Sequence, residues 1–391
     1  MVVFRRVWIG LALLGIVATT SVPSRLGLWE KLRAQTAVAG APRTGLQDGP
    51  RNAVQLPTRG GSLVCTMRSE PRTFNPYGSR DFASHMVMQL THARLVRINR
   101  ATQQLEPWLA EKFACTTNGL TCTLNLRRGI TFSDGVPFTS ADVLFSFQAV
   151  YDEKTGSPLG DALLIGGKPL GVTAPDATTV VLTFPTAYGP GLRVLDSLPI
   201  LPKHQLYATY RAGTLRQHWG PTTKPAELVG LGPFVLQDYK PGERLVFARN
   251  PHYWRKDSAG TTLPYLDRLT IEITPDQNTE LLRVQSGQAD LTQSEIRPDD
   301  YAVLKREATA GKLRLVDAGL GFDSDAFWFN LKPTGKAGDA RRVWLQSLQM
   351  RQAVSLAVNR KAFADAVFLG AAEPNWGPVS PSNTTWYPPP S

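Results

Sequence analysis

Short runs of alternating or β-branched residues recur along the chain from residue 62 onward, and each predicts a β-strand. The clearest runs are SLVCTM at 62–67, TTVVLTF at 178–184 and LPYLDRLTIEITPD at 263–276. Turn residues separate several further runs between residues 106 and 135, which predicts a strand meander closed by hairpins. Another pair of strands is predicted on either side of Pro241-Gly242, a dipeptide typical of turns.

Apolar residues recur at helical spacing in several other segments. These segments are HMVMQLTHARLVRI at 85–98, SADVLFSF at 140–147, NTELLRVQ at 278–285 and QMRQAVSLAVNRKAFADAVF at 349–368. The last of them places Ala353, Leu356, Ala357 and Phe363 on its apolar side. Two more strand-like runs are predicted within 312–333. Because strands and helices alternate irregularly, we predict an α/β or α+β fold with mixed sheets in more than one lobe.

One row, LRRGITFSDGVPFTSADVLFSF at 126–147, combines three local devices. A strand end comes first, and Asp134-Gly135 then supplies a tight turn. Thr139 precedes the helical run and Asp142 follows three residues later, which is typical of a helix N-cap with an acidic partner. These residues shape the backbone and carry no chemistry, so we interpret the row as architecture.

The N-terminus has an export pattern. Arg5 and Arg6 precede an apolar run from Val7 to Thr20, and positive charge before a short apolar core is typical of a secretory signal. The run is shorter than the ~20 residues that span a membrane comfortably. We therefore predict a signal peptide or an uncleaved N-terminal anchor over residues 1–40, followed by a linker over 41–60.

The formal net charge of +11 first suggests a nucleic-acid partner, but its distribution argues against one. Residues 1–60 hold 8 basic and 2 acidic residues, whereas the remainder holds 35 basic and 30 acidic residues. The basic residues of the remainder are scattered and form no basic arm or helix. The 5 histidines are dispersed as well and offer no metal-ligand pair. We expect no nucleic-acid partner, no metal and no cofactor.

Two of the three cysteines flank a hairpin signal. Cys115 and Cys122 bracket TTNGLT, in which Asn118-Gly119 favours a tight turn. Cysteines on either side of such a turn can face each other across two strands, and an exported protein can form disulfides. We predict a disulfide between Cys115 and Cys122, with Cys65 left free and buried.

Catalytic signatures are missing from the sequence. It contains no G-x-S-x-G, no H-E-x-x-H and no Cys-His signature. The few histidines offer few general bases, although carboxylates can also serve. We therefore predict a binding protein and no enzyme, and keep an exported hydrolase as an alternative.

Five segments, taken in order, resemble blocks of one protein family. They are LRRGITFSDGVPFTSADVLFSF at 126–147, LPILPKH at 198–204, GLGPFVLQDYKPGERLVFARNPHYW at 230–254, LRVQSGQADL at 282–291 and MRQAVSLAVNRKAF at 350–363. By these blocks the chain resembles the bacterial extracellular solute-binding proteins of the peptide/nickel (oligopeptide/dipeptide) family. Those proteins serve ATP-driven importers, and the resemblance spans roughly residues 62–391.

The resemblance implies a two-lobed fold of the type II periplasmic-binding-protein class, with a ligand held between the lobes. The first lobe is expected at 61–318, with a small subdomain at about 82–212, and part of a second lobe at 319–391. Family members continue well past the last block, so the second lobe is expected to be incomplete and the chain to be truncated. The family's acidic residue that pairs with a peptide amino group would lie beyond this chain.

The resemblance also implies ligand-binding positions. In the family, the segment after the first strand contributes to the grip on the ligand, and the matching residues are Met67, Arg68, Ser69 and Glu70. Trp328, near the expected crossover between lobes, and Trp376, in a loop expected at the cleft mouth, are further candidates. The first four also have a structural interpretation as a surface turn before Pro71, and Trp328 has one as core packing. Trp376, in an exposed Pro/Gly loop, is harder to explain as core.

The function implied by the resemblance is the extracytoplasmic substrate-binding component of an ABC importer. It would bind peptides or a similar small solute and deliver it to the membrane permease. Membrane contact is expected only through the N-terminal segment if that segment is uncleaved. A ligand sensor for a membrane receptor and a fragment without function are alternatives beside the exported hydrolase.

Overall fold

The structure is a computed structural model. It describes residues 58–99, 102–292, 296–316, 320–321, 325–331, 344–369, 372–383 and 386–387. These residues fall within one compact unit, Gln55–Ser391. The predicted signal or anchor at 1–40 and most of the predicted linker lie outside the described residues.

A five-stranded sheet organises much of the described chain. Its strands are β1 (Ser62–Met67), β8 (Phe234–Lys240), β9 (Arg244–Arg249), β10 (Arg268–Ile273) and β11 (Leu291–Thr292). They lie in the order β11-β1-β10-β9-β8. Strand β1 pairs in parallel with both β10 and β11, whereas β9 is antiparallel to β10 and β8. The first described strand therefore lies between two strands from more than 200 residues later in the chain.

Alternation along β1 and β10 gives the sheet two chemically different faces. Cys65 and Met67 point to the core side, where Ile271 is also fully buried. Thr66, the residue between them, points to the opposite face because successive side chains of a strand alternate. That opposite face is the one on which the polar groups described below are assembled.

The chain between β1 and β8 forms two smaller sheets. Their strands are β2 (Val96–Ile98), β3 (Leu105–Pro107), β4 (Ala110–Cys115), β5 (Thr121–Leu126), β6 (Gly171–Asp176) and β7 (Thr179–Thr183). Strands β2 and β3 form one antiparallel pair, and the other four form a sheet in the order β4-β5-β7-β6. Cys115 lies directly opposite Cys122 in the β4–β5 pair, and the two are joined by a disulfide.

Seven α-helices have bounds within the described residues: α1 (Phe82–Thr91), α2 (Ser140–Tyr151), α3 (Lys203–Arg211), α4 (Gln277–Gln285), α5 (Pro298–Thr309), α6 (Leu348–Ala357) and α7 (Arg360–Val367). Short 3-10 helices occupy Asp161–Leu163, Gly191–Ser197, Leu215–Gln217 and Pro225–Glu227. None of the described helices combines the length and the apolarity that a membrane crossing needs.

The row at 126–147 is architectural in the structure. Thr139 caps helix α2, and the Asp142 carboxylate accepts the Thr139 N–H at 2.9 Å, which completes a capping box. The second oxygen of Asp142 accepts the backbone N–H of Lys203 at 3.0 Å. Burial raises the pKa of Asp142 although these hydrogen bonds favour its charged form. One carboxylate thus joins two of the five family blocks.

A third block contacts the same row through its backbone. Ser133 and Gly230 exchange two hydrogen bonds, from Ser133 N–H to Gly230 O at 2.9 Å and from Gly230 N–H to the Ser133 hydroxyl at 3.1 Å. Two residues later, the Gly232 N–H donates to the carbonyl of Thr91, the last residue of α1. The segment at 228–233 is therefore held between the turn of the row and the end of a helix.

The two glycines of this segment allow that close approach. A β-carbon on Gly230 would overlap the Thr91 carbonyl oxygen. A β-carbon on Gly232 would overlap backbone atoms of Leu90 and Thr91 and lie 2.6 Å from the His92 nitrogen. His92 is itself buried, and burial, with a smaller effect of nearby Arg94, lowers its pKa to about 4. A neutral imidazole therefore packs beside the joint at neutral pH.

Three sequence predictions differ from the structure. The helix predicted over 85–98 ends at Thr91, where Gly232 bonds the terminal carbonyl, and the chain then enters β2. The described residues of 312–333 contain no strand. The single helix predicted over 349–368 is two helices, because the Asn359 side chain accepts the Ala362 N–H and starts a new one. The apolar side predicted there is exposed, with Leu356 at 86% and Phe363 at 53%.

Replacing Gly232 by alanine should destabilise the fold. The added methyl group would overlap backbone atoms of α1, so we expect a loss of about 3 kcal/mol or more in the free energy of unfolding. Urea denaturation of both proteins measures the difference. Gly189→Ala is the matched control, since a β-carbon there meets no atom within 4 Å. An equal effect of the two substitutions would contradict the close-contact explanation.

The disulfide predicts the number of reactive thiols. In the oxidised protein, unfolded without reductant, alkylation should modify only Cys65, which lies outside the disulfide. After reduction it should modify all 3 cysteines. Intact-mass spectrometry distinguishes the two results. Three modified cysteines before reduction would show that Cys115 and Cys122 are not bonded.

Candidate functional site

Three parallel strands end side by side at one edge of the five-stranded sheet. The register places Met67 of β1 beside Ile273 of β10, and Thr66 beside Thr292 of β11. The carboxyl ends of parallel strands are where α/β sheets usually bind ligands. The segment after β1 and the start of helix α4 both lie at this edge, which makes it the candidate site.

A buried carboxylate organises the edge. Glu280, in the first turns of α4, is 3% exposed. Its Oε1 accepts the hydroxyl of Thr66 at 2.7 Å and that of Thr292 at 2.9 Å. Its Oε2 accepts Nε–H of Arg68 at 3.0 Å. Residues from β1, β11 and α4 therefore meet at one side chain.

These partners explain how a charged group can be buried here. An isolated buried carboxylate is costly, whereas one that is paired and hydrogen-bonded is tolerated. Two hydroxyl donors and a guanidinium supply that compensation. A second ion pair, between Arg283 of α4 and Glu272 of β10, lies on the same face of the sheet. The interface between α4 and the sheet thus includes charged contacts as well as packing.

The predicted segment Met67–Glu70 divides into core, surface and edge. The Met67 side chain is 2% exposed, and its carbonyl accepts the Thr274 N–H. Ser69 is exposed. Glu70 accepts the Gly242 N–H in the β8–β9 turn, and burial together with the Glu70 charge raises the pKa of Tyr239. Of the two charged residues, Glu70 therefore holds the β8–β9 turn by a hydrogen bond, whereas Arg68 forms an ion pair with Glu280.

Thr274, the first residue after β10, carries a buried hydroxyl that has no hydrogen-bond partner among the described residues. The residue is 3% exposed. Buried hydroxyls are usually satisfied, so an unsatisfied one at the carboxyl edge marks a position able to take an additional donor or acceptor. In the described part of the chain, no cluster of three or more His, Cys, Asp or Glu residues is arranged to hold a metal ion.

The two predicted tryptophans lie in the C-terminal part of the chain. Trp328 is 88% exposed, and Trp376 is 60% exposed with the Arg360 guanidinium 4.7 Å from its ring centre. Within the described residues, no hydrogen bond or ring contact joins either tryptophan to Met67–Glu70. Trp328 does not fill a core, so the packing interpretation of its side chain is wrong. Their role in ligand binding stays a prediction.

Sequence reasoning missed Glu280, Thr292 and Thr274. Glu280 belongs to a segment that reads as an ordinary helix, and its burial depends on strands far away in the chain. One signal was available: Thr66 interrupts an apolar strand two residues before Arg68, so the two side chains share a face. A polar pair on one face of a buried strand indicates a polar partner above it.

The chain matches a family model over residues 104–391, described as bacterial extracellular solute-binding proteins, family 5 Middle. The chain belongs to this family. The resemblance drawn from the five blocks is confirmed, and so is the mixed-sheet α/β fold of the type II periplasmic-binding class. The function class of the family is solute binding for transport and is not enzymatic.

Two curated relatives and one solved structure illustrate the similarity. A probable ABC transporter-binding protein of Deinococcus radiodurans is 29% identical over 338 residues, covering 84% of this chain and 56% of the relative. The dipeptide-binding protein of Escherichia coli is 28% identical, with coverages of 79% and 56%. The oligopeptide-binding protein AppA of Bacillus subtilis, solved with a nonapeptide, is 23% identical with a TM-score of 0.63, over 85% of this chain and 60% of AppA. The chain thus spans just over half the length of these two curated relatives.

Replacing Thr66 by valine should destabilise the protein through Glu280. Valine has the same shape but no hydroxyl, so the buried carboxylate loses one of its donors. We expect a loss of about 1–3 kcal/mol in the free energy of unfolding, measured by urea denaturation. Thr270→Val, on the neighbouring strand, is the control because the Thr270 hydroxyl makes no hydrogen bond in the described part. An unchanged stability of Thr66→Val would contradict the assigned contact.

Proposed function

We propose that this chain is the extracytoplasmic substrate-binding component of an ABC importer. It binds a peptide or a similar small solute and delivers it to the membrane permease. Residues 1–40 serve as its export signal or anchor. Residues 61–318 form the first lobe, with the subdomain at about 82–212, and residues 319–391 contribute to a second lobe.

The observation that carries this proposal is the arrangement at the carboxyl ends of β1, β10 and β11. Within a chain that belongs to a solute-binding family, the segment after β1 reaches that edge and Glu280 fixes it there. Ligands of α/β folds bind at such edges. No nucleophile–base pair is needed for this role, because the solute is handed on unchanged.

Peptides are the solute class that several of the relatives are named for. One curated relative is named a dipeptide-binding protein, and one solved structure of the same fold holds a nonapeptide. An extended peptide can be held by main-chain hydrogen bonds at a strand end, with room for varied side chains. The ligand contacts we propose are Met67 through its main chain, Arg68, Ser69, Glu70, Trp328 and Trp376.

Short peptides should therefore raise the melting temperature of the purified protein. A ligand present at a hundredfold excess over its Kd stabilises the folded state by about 2.7 kcal/mol, which shifts the transition by several degrees. The measurement is a thermal-shift series with L-trialanine, followed by isothermal titration calorimetry. Tri-D-alanine is the matched ligand control, since it has the same composition and charge with mirrored geometry.

Recovery of the ligand separates binding from catalysis. After prolonged incubation with the protein, L-trialanine should be recovered intact by mass spectrometry. Cleavage with multiple turnovers would overturn the transport proposal in favour of the exported hydrolase. A panel of short peptides that produces neither a thermal shift nor heat would overturn the assignment of peptides as the solute.

A further inference from the structure

Three arginines and two tryptophans form a cluster away from the candidate site. The guanidinium carbons of Arg97 and Arg255 each lie 4.1 Å from the centre of the Trp108 ring. Trp254 meets Trp108 edge to face, with ring centres 5.5 Å apart, and the Arg127 guanidinium lies 5.2 Å from the Trp254 ring. These side chains come from β2, from the connection between β3 and β4, and from the segments after β5 and β9. We refer to the five as the arginine–tryptophan surface.

The arginines of this surface have one acidic partner between them. Glu106 accepts Nε–H of Arg97 at 2.9 Å, and within the described residues it is the one carboxylate that forms an ion pair with any of the three. Arg127 donates its Nε–H to a backbone carbonyl at 2.7 Å, and Arg255 donates to the Tyr253 hydroxyl. Two guanidiniums are thus held by aromatic rings and neutral acceptors, which leave their positive charge uncompensated.

The neighbouring residues add to the positive charge. Arg128 follows Arg127 in the chain, Lys256 follows Arg255, and both are exposed. Asp257 comes next, but its carboxylate accepts a tyrosine hydroxyl at 2.8 Å and two backbone N–H groups of its own loop. Basic side chains therefore outnumber acidic ones here. Because two of the guanidiniums share one ring, like charges are held close together, and a bound anion would relieve their repulsion.

The surface has more hydrogen-bond donors than acceptors. Nε1–H of Trp254 is buried and has no acceptor among the described residues. The Arg97 side chain is 38% exposed, and Arg127 and Arg255 are partly exposed. Stacking on an aromatic ring uses the face of a guanidinium and not its N–H groups. Each arginine is therefore restrained before binding and loses less freedom when it contacts the two oxygens of a carboxylate.

We infer that the arginine–tryptophan surface docks an acidic segment of a protein partner, whose carboxylates pair with the guanidiniums. Arginine and tryptophan are enriched among the residues that dominate the binding energy of protein interfaces. A lipid surface fits less well, because Trp108 and Trp254 are partly buried beneath guanidiniums, whereas interfacial tryptophans insert between lipids. The inference rests on the proposed function in one respect only, that this partner is the membrane permease.

The test measures binding of an acidic chain to the full-length protein. A fluorescently labelled hexaglutamate, acetylated and amidated at its ends, is titrated by anisotropy in the presence of saturating L-trialanine. Binding should be saturable, should weaken as salt is added, and should be absent for the matching hexaglutamine. Arg127→Gln and Arg255→Gln should each weaken it about fivefold to tenfold, because each removes a charge-assisted contact.

Arg211→Gln is the matched control. Arg211 is an exposed arginine in the last turn of α3, so its replacement removes the same charge outside the surface and should leave the affinity at the wild-type value. Equal weakening in Arg211→Gln and Arg255→Gln would overturn the inference, because net charge alone would then explain binding. Binding to phosphatidylglycerol vesicles without binding to hexaglutamate would overturn it in favour of a membrane. Both results would leave solute binding by the candidate site standing.

A second measurement uses the unaltered protein, because these arginines also hold the sheets together and their replacement can lower stability. Phenylglyoxal modifies accessible guanidiniums, and peptide mass spectrometry reports each site. Hexaglutamate should slow the modification of Arg97, Arg127 and Arg255 severalfold and leave that of Arg211 unchanged. No protection of these three would overturn the inference. Protection in a protein that does not bind trialanine would support it and overturn peptides as the solute.

Discussion

The parallel pairing of β1 with β10 and β11 is the constraint on which the described structure depends. Six residues near the start of the described chain pair on both sides with strands that come from more than 200 residues later. Much of what lies between, including both smaller sheets, is carried as an insertion between neighbouring strands. The candidate site exists only because this pairing aligns three carboxyl ends. The sheet and the site therefore form together, and both depend on contacts between residues that are far apart in the sequence.

Local devices were predictable from the sequence because their physics is local. SLVCTM matches β1 residue for residue, and the capping box of Thr139 and Asp142 follows from a spacing of three residues. The second contact of Asp142, with the Lys203 backbone, could not be predicted, because it needs the relative placement of two helices. The break at Asn359 was missed because apolar periodicity continues through it, whereas a capping side chain decides the helix start. Burial of Glu280 has the same non-local origin.

Polar contacts do at this sheet edge what apolar side chains do elsewhere in the core. Helix α4 carries one buried side chain, and it is a glutamate. An apolar interface would tolerate small rotations of the helix, whereas hydrogen bonds from two threonines and an arginine fix one geometry. A well-packed apolar replacement is often at least as stable, so the polar contacts give a single orientation of α4 at some cost in stability. A single orientation matters most where a ligand must be recognised.

The joint between the segment at 228–233 and helix α1 is made by main-chain atoms. This joint requires that Gly230 and Gly232 carry no side chain. Substitutions on the surrounding helix and loop leave the main-chain contact intact. Relatives that share fewer than a third of their residues with this chain can keep the same joint if both positions remain glycine. The sequence can therefore diverge while this part of the fold stays constant. The contact requires only a hydrogen in place of a side chain at Gly230 and Gly232, and its other atoms belong to the main chain, which every sequence has.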